Sequence, residues 1–219
     1  MTIPTPSVTP SPNVPMNDAE IIASERLNLI EYLRGAGPHA STLCEGWQTR
    51  HLIAHLVLRE SKPLVAAGVM GGPLGQRTEE KTNEYADKLT RAGAYDTALF
   101  EFAKLHGPLH VRTRNPKADC AMNLLEYFVH TEDVRRAEET WQPRELAPEV
   151  ESKMWQMLTK GARLMGAKKY AGGLTIKAPG RSPVTVIKPK NGSATTITGA
   201  PGEIALHLFG REQAVVEIS

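Results

Sequence analysis

Apolar residues recur every three to four positions through the first two-thirds of the chain, then change to short alternating runs in the last third. Asn17-Asp18 reads as a helix start, and Ile22, Arg26, Leu29, Ile30 and Leu33 follow at helical spacing until Gly35 and Gly37-Pro38. A second helix is predicted from about Thr49 to Val69, with Leu52, His55, Leu56 and Arg59 on one face and a kink at Pro63. A third runs from Thr78 to about Leu105, with a break near Ala92-Gly93, and Asp119 caps a fourth that reaches about Glu139. Four such helices with short connections predict an up-and-down four-helix bundle over residues 17–142.

Beyond Trp141-Gln142-Pro143 the pattern changes. Pro148 can open a helix that runs to about Met165. Gly172–Lys177, Val184–Lys188 and Thr195–Thr198 read as short strands between Gly and Pro punctuation. Pro201–Leu208 reads as a helix that Gly210 ends, and Ala214–Ile218 as a last strand. Residues 143–219 thus predict a small α+β unit behind the helical one, so the fold class is α plus α+β. Residues 1–16 carry Pro4, Pro6, Pro10, Pro12 and Pro15 among Ser and Thr, and read as a disordered Pro-rich tail.

Composition narrows the function classes. The 219 residues are 41% hydrophobic and 23% charged, which fits an ordinary globular protein. No apolar run approaches the roughly 18 residues of a membrane span. With Lys+Arg 26 against Asp+Glu 24, the net charge of +2 argues against a polyanion binder. Lys168-Lys169, Lys188 and Lys190 make only a thin basic face for nucleic acid. The two cysteines, Cys44 and Cys120, exclude a disulfide framework and a four-cysteine zinc site. Sparse cysteine and an N-terminus without basic or apolar signal regions point to the cytoplasm. The loop GVMGGPLG, Gly68–Gly75, matches no phosphate-binding glycine pattern and reads as a helix connection.

The chemistry lies in the predicted fourth helix. Met122, Glu126, Val129, His130 and Asp133 fall on one stripe, where an amphipathic helix should place its core. A buried carboxylate must be paired, protonated or bound to a metal. Glu126 and His130, four residues apart, form either an ordinary intrahelical pair or two ligands for one ion. His55 repeats the anomaly among Leu52, Ile53, Leu56 and Val57. Two imidazoles and a carboxylate suit catalytic Zn²⁺ with an open position, and also other divalent ions.

LCEGWQTRHLIAHLVLRE (43–60) and NLLEYFVHTEDVRRA (123–137) resemble the two signature helices of the mycothiol-dependent maleylpyruvate isomerase-like proteins, within the wider DinB/YfiT-like superfamily. The nearest resemblance is to an actinobacterial metal-binding branch. GAPGEIALHLFGR (199–211) also resembles that branch, whose tail is similar to a sterol-carrier-protein-like α+β domain. The resemblance implies a DinB-like metal-binding bundle that holds one divalent metal, Zn²⁺ first, through His55, Glu126 and His130. It also implies mycothiol as cosubstrate, whose metal-bound thiolate acts on a small electrophile by S-transfer or isomerisation. His51 stands where that pattern has an acidic residue.

Other residues carry two readings each. Asp133 either orients His130 from behind the ligands or forms a surface pair with Arg135 or Arg136. Arg59 either faces the mouth of the site, toward a substrate carboxylate, or is structural. Trp47 reads either as an anchor for the second helix or as a ring that stacks on a ligand, and Cys44 reads as structural, since no base near it is evident in the sequence. Arg112, Arg114 and Lys117 read either as a solvated basic loop or as an attractor for an anionic ligand. His106 and His110 are separated by Gly107-Pro108, which spoils a helical ligand pair. Against the enzyme stands a non-catalytic protein that binds a metal or a small ligand.

Overall fold

The first helix begins where two side chains satisfy its free backbone donors. The Asn17 carboxamide oxygen accepts from the amides of Ala19 and Glu20, and the Glu20 carboxylate accepts from the Asn17 amide at 2.8 Å. The resulting α1 (Asp18–Ala36) ends at Gly37, whose φ of +74° is the left-handed conformation glycine adopts freely. The computed structural model describes residues 15–62, 75–104, 115–162, 165, 167–170, 172–189, 192 and 194–219. The expectations for residues 1–14, Pro63, most of the glycine-rich loop, His106, His110, Arg112 and Arg114 lie outside the described residues.

Among the described residues four more helices follow: α2 (Thr49–Ser61), α3 (Gly75–Lys88), α4 (Ala94–Lys104) and α5 (Pro116–Arg135). The expected third helix is two helices, divided at Gly93, where φ is +74°. The expected fourth helix starts earlier than Asp119, because Asn115 caps it and Pro116 takes its first turn. It stops at Arg135, short of Glu139.

Among the described residues α1 packs most extensively against α5, and α2 packs on α3 and α4. Every residue from Leu52 to Leu58 is buried, so α2 is surrounded rather than amphipathic. Arg26 ties the helices together, donating to Phe102 O at 2.7 Å, Glu60 Oε2 at 2.9 Å and Tyr127 Oη at 2.6 Å. Glu60 also accepts from the Tyr127 hydroxyl.

The last third holds α6 (Pro148–Gly161), a short 3₁₀ turn (Ala167–Tyr170), β1 (Leu174–Lys177), β2 (Val184–Ile187), β3 (Thr195–Thr198), α7 (Pro201–Leu208) and β4 (Glu217–Ile218). The strand order is β2-β1-β3-β4, with β1 and β3 parallel and both outer pairs antiparallel. Leu174, Ile176 and Ile197 turn their side chains into the core. The core is continuous from α1 through α5 to α6, the sheet and α7.

Glycine is required where α7 meets α5. A Cβ at Gly202 would lie 2.6 Å from Phe128 Cζ. Beside that contact sits a buried charge network. Glu132 of α5 receives Arg136 Nε at 2.6 Å and Arg144 Nε at 2.9 Å, while Arg136 reaches Glu203 Oε1 of α7 at 2.5 Å and Arg144 reaches Glu25 Oε2 of α1 at 2.8 Å. No helix among the described residues is long and apolar enough to cross a membrane.

Candidate functional site

Three pieces of chain build the site: the loop before α2, the middle of α5, and the segment after α7. The loop is folded on itself by a bridge between Ser41 and Gln48 and by Gly46, at φ +74°. The Thr42 hydroxyl donates to Trp47 O at 2.9 Å. Leu43 N donates to Asp133 O at 2.9 Å, which pins the loop to α5. His51 is occupied locally, its Nδ1 accepting from the Gln48 amide at 3.1 Å as part of the helix cap.

Glu126 Oε1 lies 3.1 Å from His55 Nε2 and 3.3 Å from His130 Nε2. The ligand atoms of these three residues all lie within 4.8 Å of one another. Two ligands of a tetrahedral Zn²⁺ with bonds near 2.1 Å stand about 3.4 Å apart, so this spacing fits a metal with little movement. The two imidazole rings meet edge to face, with centroids 5.4 Å apart. Trp47 stands beside them, its centroid 5.4 Å from that of His55. Arg59 Nε is 3.5 Å from Glu126 Oε1, and its guanidinium donates to Asn123 Oδ1 at 2.6 Å and Met122 O at 3.1 Å.

Behind His130 the order of partners is fixed. His130 Nδ1 donates to Asp133 Oδ2 at 2.9 Å. Arg211 grips the same carboxylate from the far end of the chain, with Nε 2.8 Å from Oδ1 and Nη2 2.6 Å from Oδ2. Asp133 is fully buried and is not a surface residue. Arg135 and Arg136, its expected surface partners, pair with Glu132 instead. A histidine whose Nδ1–H is held by a carboxylate keeps Nε2 free to bind a metal.

The charges follow from these contacts. Burial alone would raise the Glu126 carboxyl, but the hydrogen bonds from His130 and His55 and the charges of His130 and Arg59 hold it well below its usual range. Burial alone would lower His130, yet its hydrogen bonds with Asp133, Cys44 and Glu126 hold it well above. Burial outweighs Glu126 at His55 and keeps that imidazole below its ordinary value. Burial would also raise Asp133, but Arg211 and His130 bring it down to about 2. Without a cation, His130 therefore carries the charge and His55 is the neutral imidazole.

A cavity of about 460 Å³ opens on this cluster, lined by Leu43, Cys44, Trp47, Val129, Phe209 and Arg211 together with His55, Glu126 and His130. Cys44 Sγ is 3.2 Å from Asp133 Oδ2 and 3.4 Å from Arg211 Nη2, so it has charged neighbours that the sequence did not reveal. Met122 departs from the stripe, with 59% of its surface exposed. Lys117 is exposed on the first turn of α5. Arg211 and Phe209 escaped the residue-level reading. The signal available was that Arg211 closes the segment 199–211 already singled out.

The fold these residues occupy is that of mycothiol-dependent maleylpyruvate isomerase. A His-to-Ala mutant of that enzyme superposes over 92% of this chain and 91% of its own, with a TM-score of 0.58 at 15% identity. A second crystal structure of the isomerase superposes over the same shares, with a TM-score of 0.51 at 13% identity. No protein-family model matches the chain, and no curated protein matches it at a significant level.

Proposed function

We propose that the chain is a divalent-metal-dependent enzyme that uses a low-molecular-weight thiol, mycothiol, to transfer sulfur to a small electrophile or to isomerise it. The observation that carries this reading is the convergence of His55 Nε2, His130 Nε2 and Glu126 Oε1 on the wall of one cavity. Likeness of fold to a mycothiol-dependent isomerase supports the choice of thiol, while the reaction itself has to be argued from the site, since fold alone does not fix it. In the same reading the helical part is a DinB-like bundle over 17–142, and 143–219 is a sterol-carrier-protein-like unit. The protein works in the cytoplasm, in keeping with its two unpaired cysteines.

His55, Glu126 and His130 would hold the cation, and Zn²⁺ suits two nitrogens and one carboxylate oxygen. When bound, a divalent cation supplies the positive charge that keeps a coordinating thiol deprotonated at neutral pH. The protein's own part is orientation. Asp133 holds the proton on His130 Nδ1, and Arg211 holds Asp133. Leu43, Trp47, Val129 and Phe209 give the cavity an apolar wall that limits water around the reacting sulfur. Arg59 faces Glu126 and Asn123, which makes it a positioning residue for the carboxylate.

The test is metal content by mass spectrometry on the purified chain beside His130→Ala. About one equivalent of divalent metal in the wild type and its loss in the mutant are expected. No metal in either, after reconstitution with zinc, manganese, nickel and iron, would remove the reading and leave Glu126 and His130 as a buried ion pair. A chain that holds metal and then binds mycothiol is the point at which electrophiles are screened.

A further inference from the structure

We propose that Asn123 is a positioning residue of the cation site, which fixes the Glu126 carboxylate for the metal by holding Arg59 beside it. The inference deepens the reading of His55, Glu126 and His130 as ligands and rests on it.

Asn123 is a polar residue in an apolar place. It is fully buried within α5, where asparagine forms helix poorly and an unpartnered carboxamide would be costly. Its partners are two ionic side chains. Arg59 Nη1 donates to Asn123 Oδ1 at 2.6 Å, and Asn123 Nδ2 donates to Asp119 Oδ1 at 2.5 Å. The orientation of the carboxamide is forced, because a guanidinium only donates and a carboxylate only accepts. An aspartate of the same size would face a second carboxylate, and a leucine would serve neither neighbour.

The consequence falls on Arg59. Both ends of its guanidinium are taken, Nη1 by Asn123 and Nη2 by Met122 O at 3.1 Å, which leaves Nε facing Glu126 Oε1 at 3.5 Å. An arginine side chain has many rotamers, and these two anchors on α5 select one. The oxygen that Nε faces is the one the imidazoles share, 3.1 Å from His55 Nε2 and 3.3 Å from His130 Nε2. Asp119, Asn123 and Glu126 lie about one turn apart along α5, so the guanidinium from α2 is laid along that row. Asp133 orients His130 directly. Asn123 does the same for Glu126 from one partner further out. If Arg59 merely competed with the metal for Glu126, releasing it would tighten metal binding, so the two roles predict opposite signs.

The experiment titrates the full chain with Co²⁺ alone, followed by its visible absorption, in wild type and in Asn123→Ala, Asp119→Ala and the exchange of Asp119→Asn with Asn123→Asp. Affinity should fall about 10- to 100-fold in Asn123→Ala. It should fall less in Asp119→Ala, where the Asn123 oxygen remains. It should return in the exchange, which again gives Arg59 an oxygen and gives position 123 a donor from position 119. Ile176→Ala, in the core at β1, should lose stability and keep wild-type affinity. Asp119 is half-buried, so Asp119→Ala decides if Asn123→Ala fails to fold. Unchanged or tighter Co²⁺ binding in the folded variants, or an equal fall in Ile176→Ala, overturns this role alone. A wild-type chain that takes no Co²⁺ removes the metal reading and this role with it.

Discussion

Asp133 stays charged although water does not reach it. Arg211 supplies two donors, His130 a third, and the Cys44 thiol a fourth, so the carboxylate trades its hydration for fixed partners. Asp133→Asn keeps the shape but no longer dictates which nitrogen of His130 holds the proton. We expect zinc affinity to fall by about 10- to 100-fold in a competition titration with a chelator. The other cysteine is tuned the opposite way. Burial first, against the nearby Lys153 charge, pushes the Cys120 thiol up to about 11. The folded state therefore holds a proton that the unfolded chain gives up above its own lower value. Stability from this group is whole below about pH 9 and is lost as pH rises toward 11, which urea melts of wild type and Cys120→Ala across that range would show. At pH 8 iodoacetamide should leave Cys120 unmodified in the native chain.

The site was legible where a polar residue interrupts an apolar helix face. His55, Glu126, His130 and Asp133 stood out because a buried ionisable group needs a partner. Arg211 gave no such signal, since 78 residues separate it from Asp133 and only the folded chain joins them. The charged neighbours of Cys44 were hidden for the same reason, since they come from α5 and from the segment after α7.

At the scale of elements, the hydrophobic period and the caps carry most of the fold. Asn17, Pro148 and Pro201 mark helix starts that the structure keeps. Gly93 divides the long third helix because a left-handed residue there turns the chain. Tertiary contacts moved the other boundaries. Val215 N donates to Glu203 Oε2 at 2.8 Å instead of to a neighbouring strand, so the last strand shrinks to Glu217–Ile218. Arg136 turns its guanidinium onto Glu132 and Glu203, and α5 ends before it. Gly202 of α7 lies so close to the Phe128 ring that a side chain there would collide with it. Gly202→Ala forces the two helices apart, and a loss of about 1–3 kcal/mol in urea unfolding is expected. Gly202→Ala combined with Phe128→Leu should recover part of that loss if the clash is its source.

Across the whole molecule, a shared apolar core, the buried charge network around Glu132 and the Arg211–Asp133 and Lys153–Asp18 pairs join the helical part to the last third. The sequence marked a change of pattern at residue 142 but not these links, because ion pairs between distant elements leave no local period. Arg136→Met would leave Glu203 and part of Glu132 without their buried partner. A destabilisation of about 3–5 kcal/mol is expected, within a single unfolding transition seen alike by circular dichroism and tryptophan fluorescence. Two separated transitions would show that the two parts fold independently despite the shared core.

The grip of Arg211 on Asp133 also sets a schedule during synthesis. A ribosome adding about 5–20 residues per second makes Arg211 roughly 4–16 seconds after Asp133, because 78 residues lie between them. Through that interval the nascent chain already contains both histidines and the glutamate, while the guanidinium that steadies Asp133 and the Phe209 ring that walls the cavity have not been made. Metal captured by such a chain would enter an open half-site and be enclosed only as the final helix docks. Late translation, rather than diffusion into a finished cavity, then becomes a natural moment for loading.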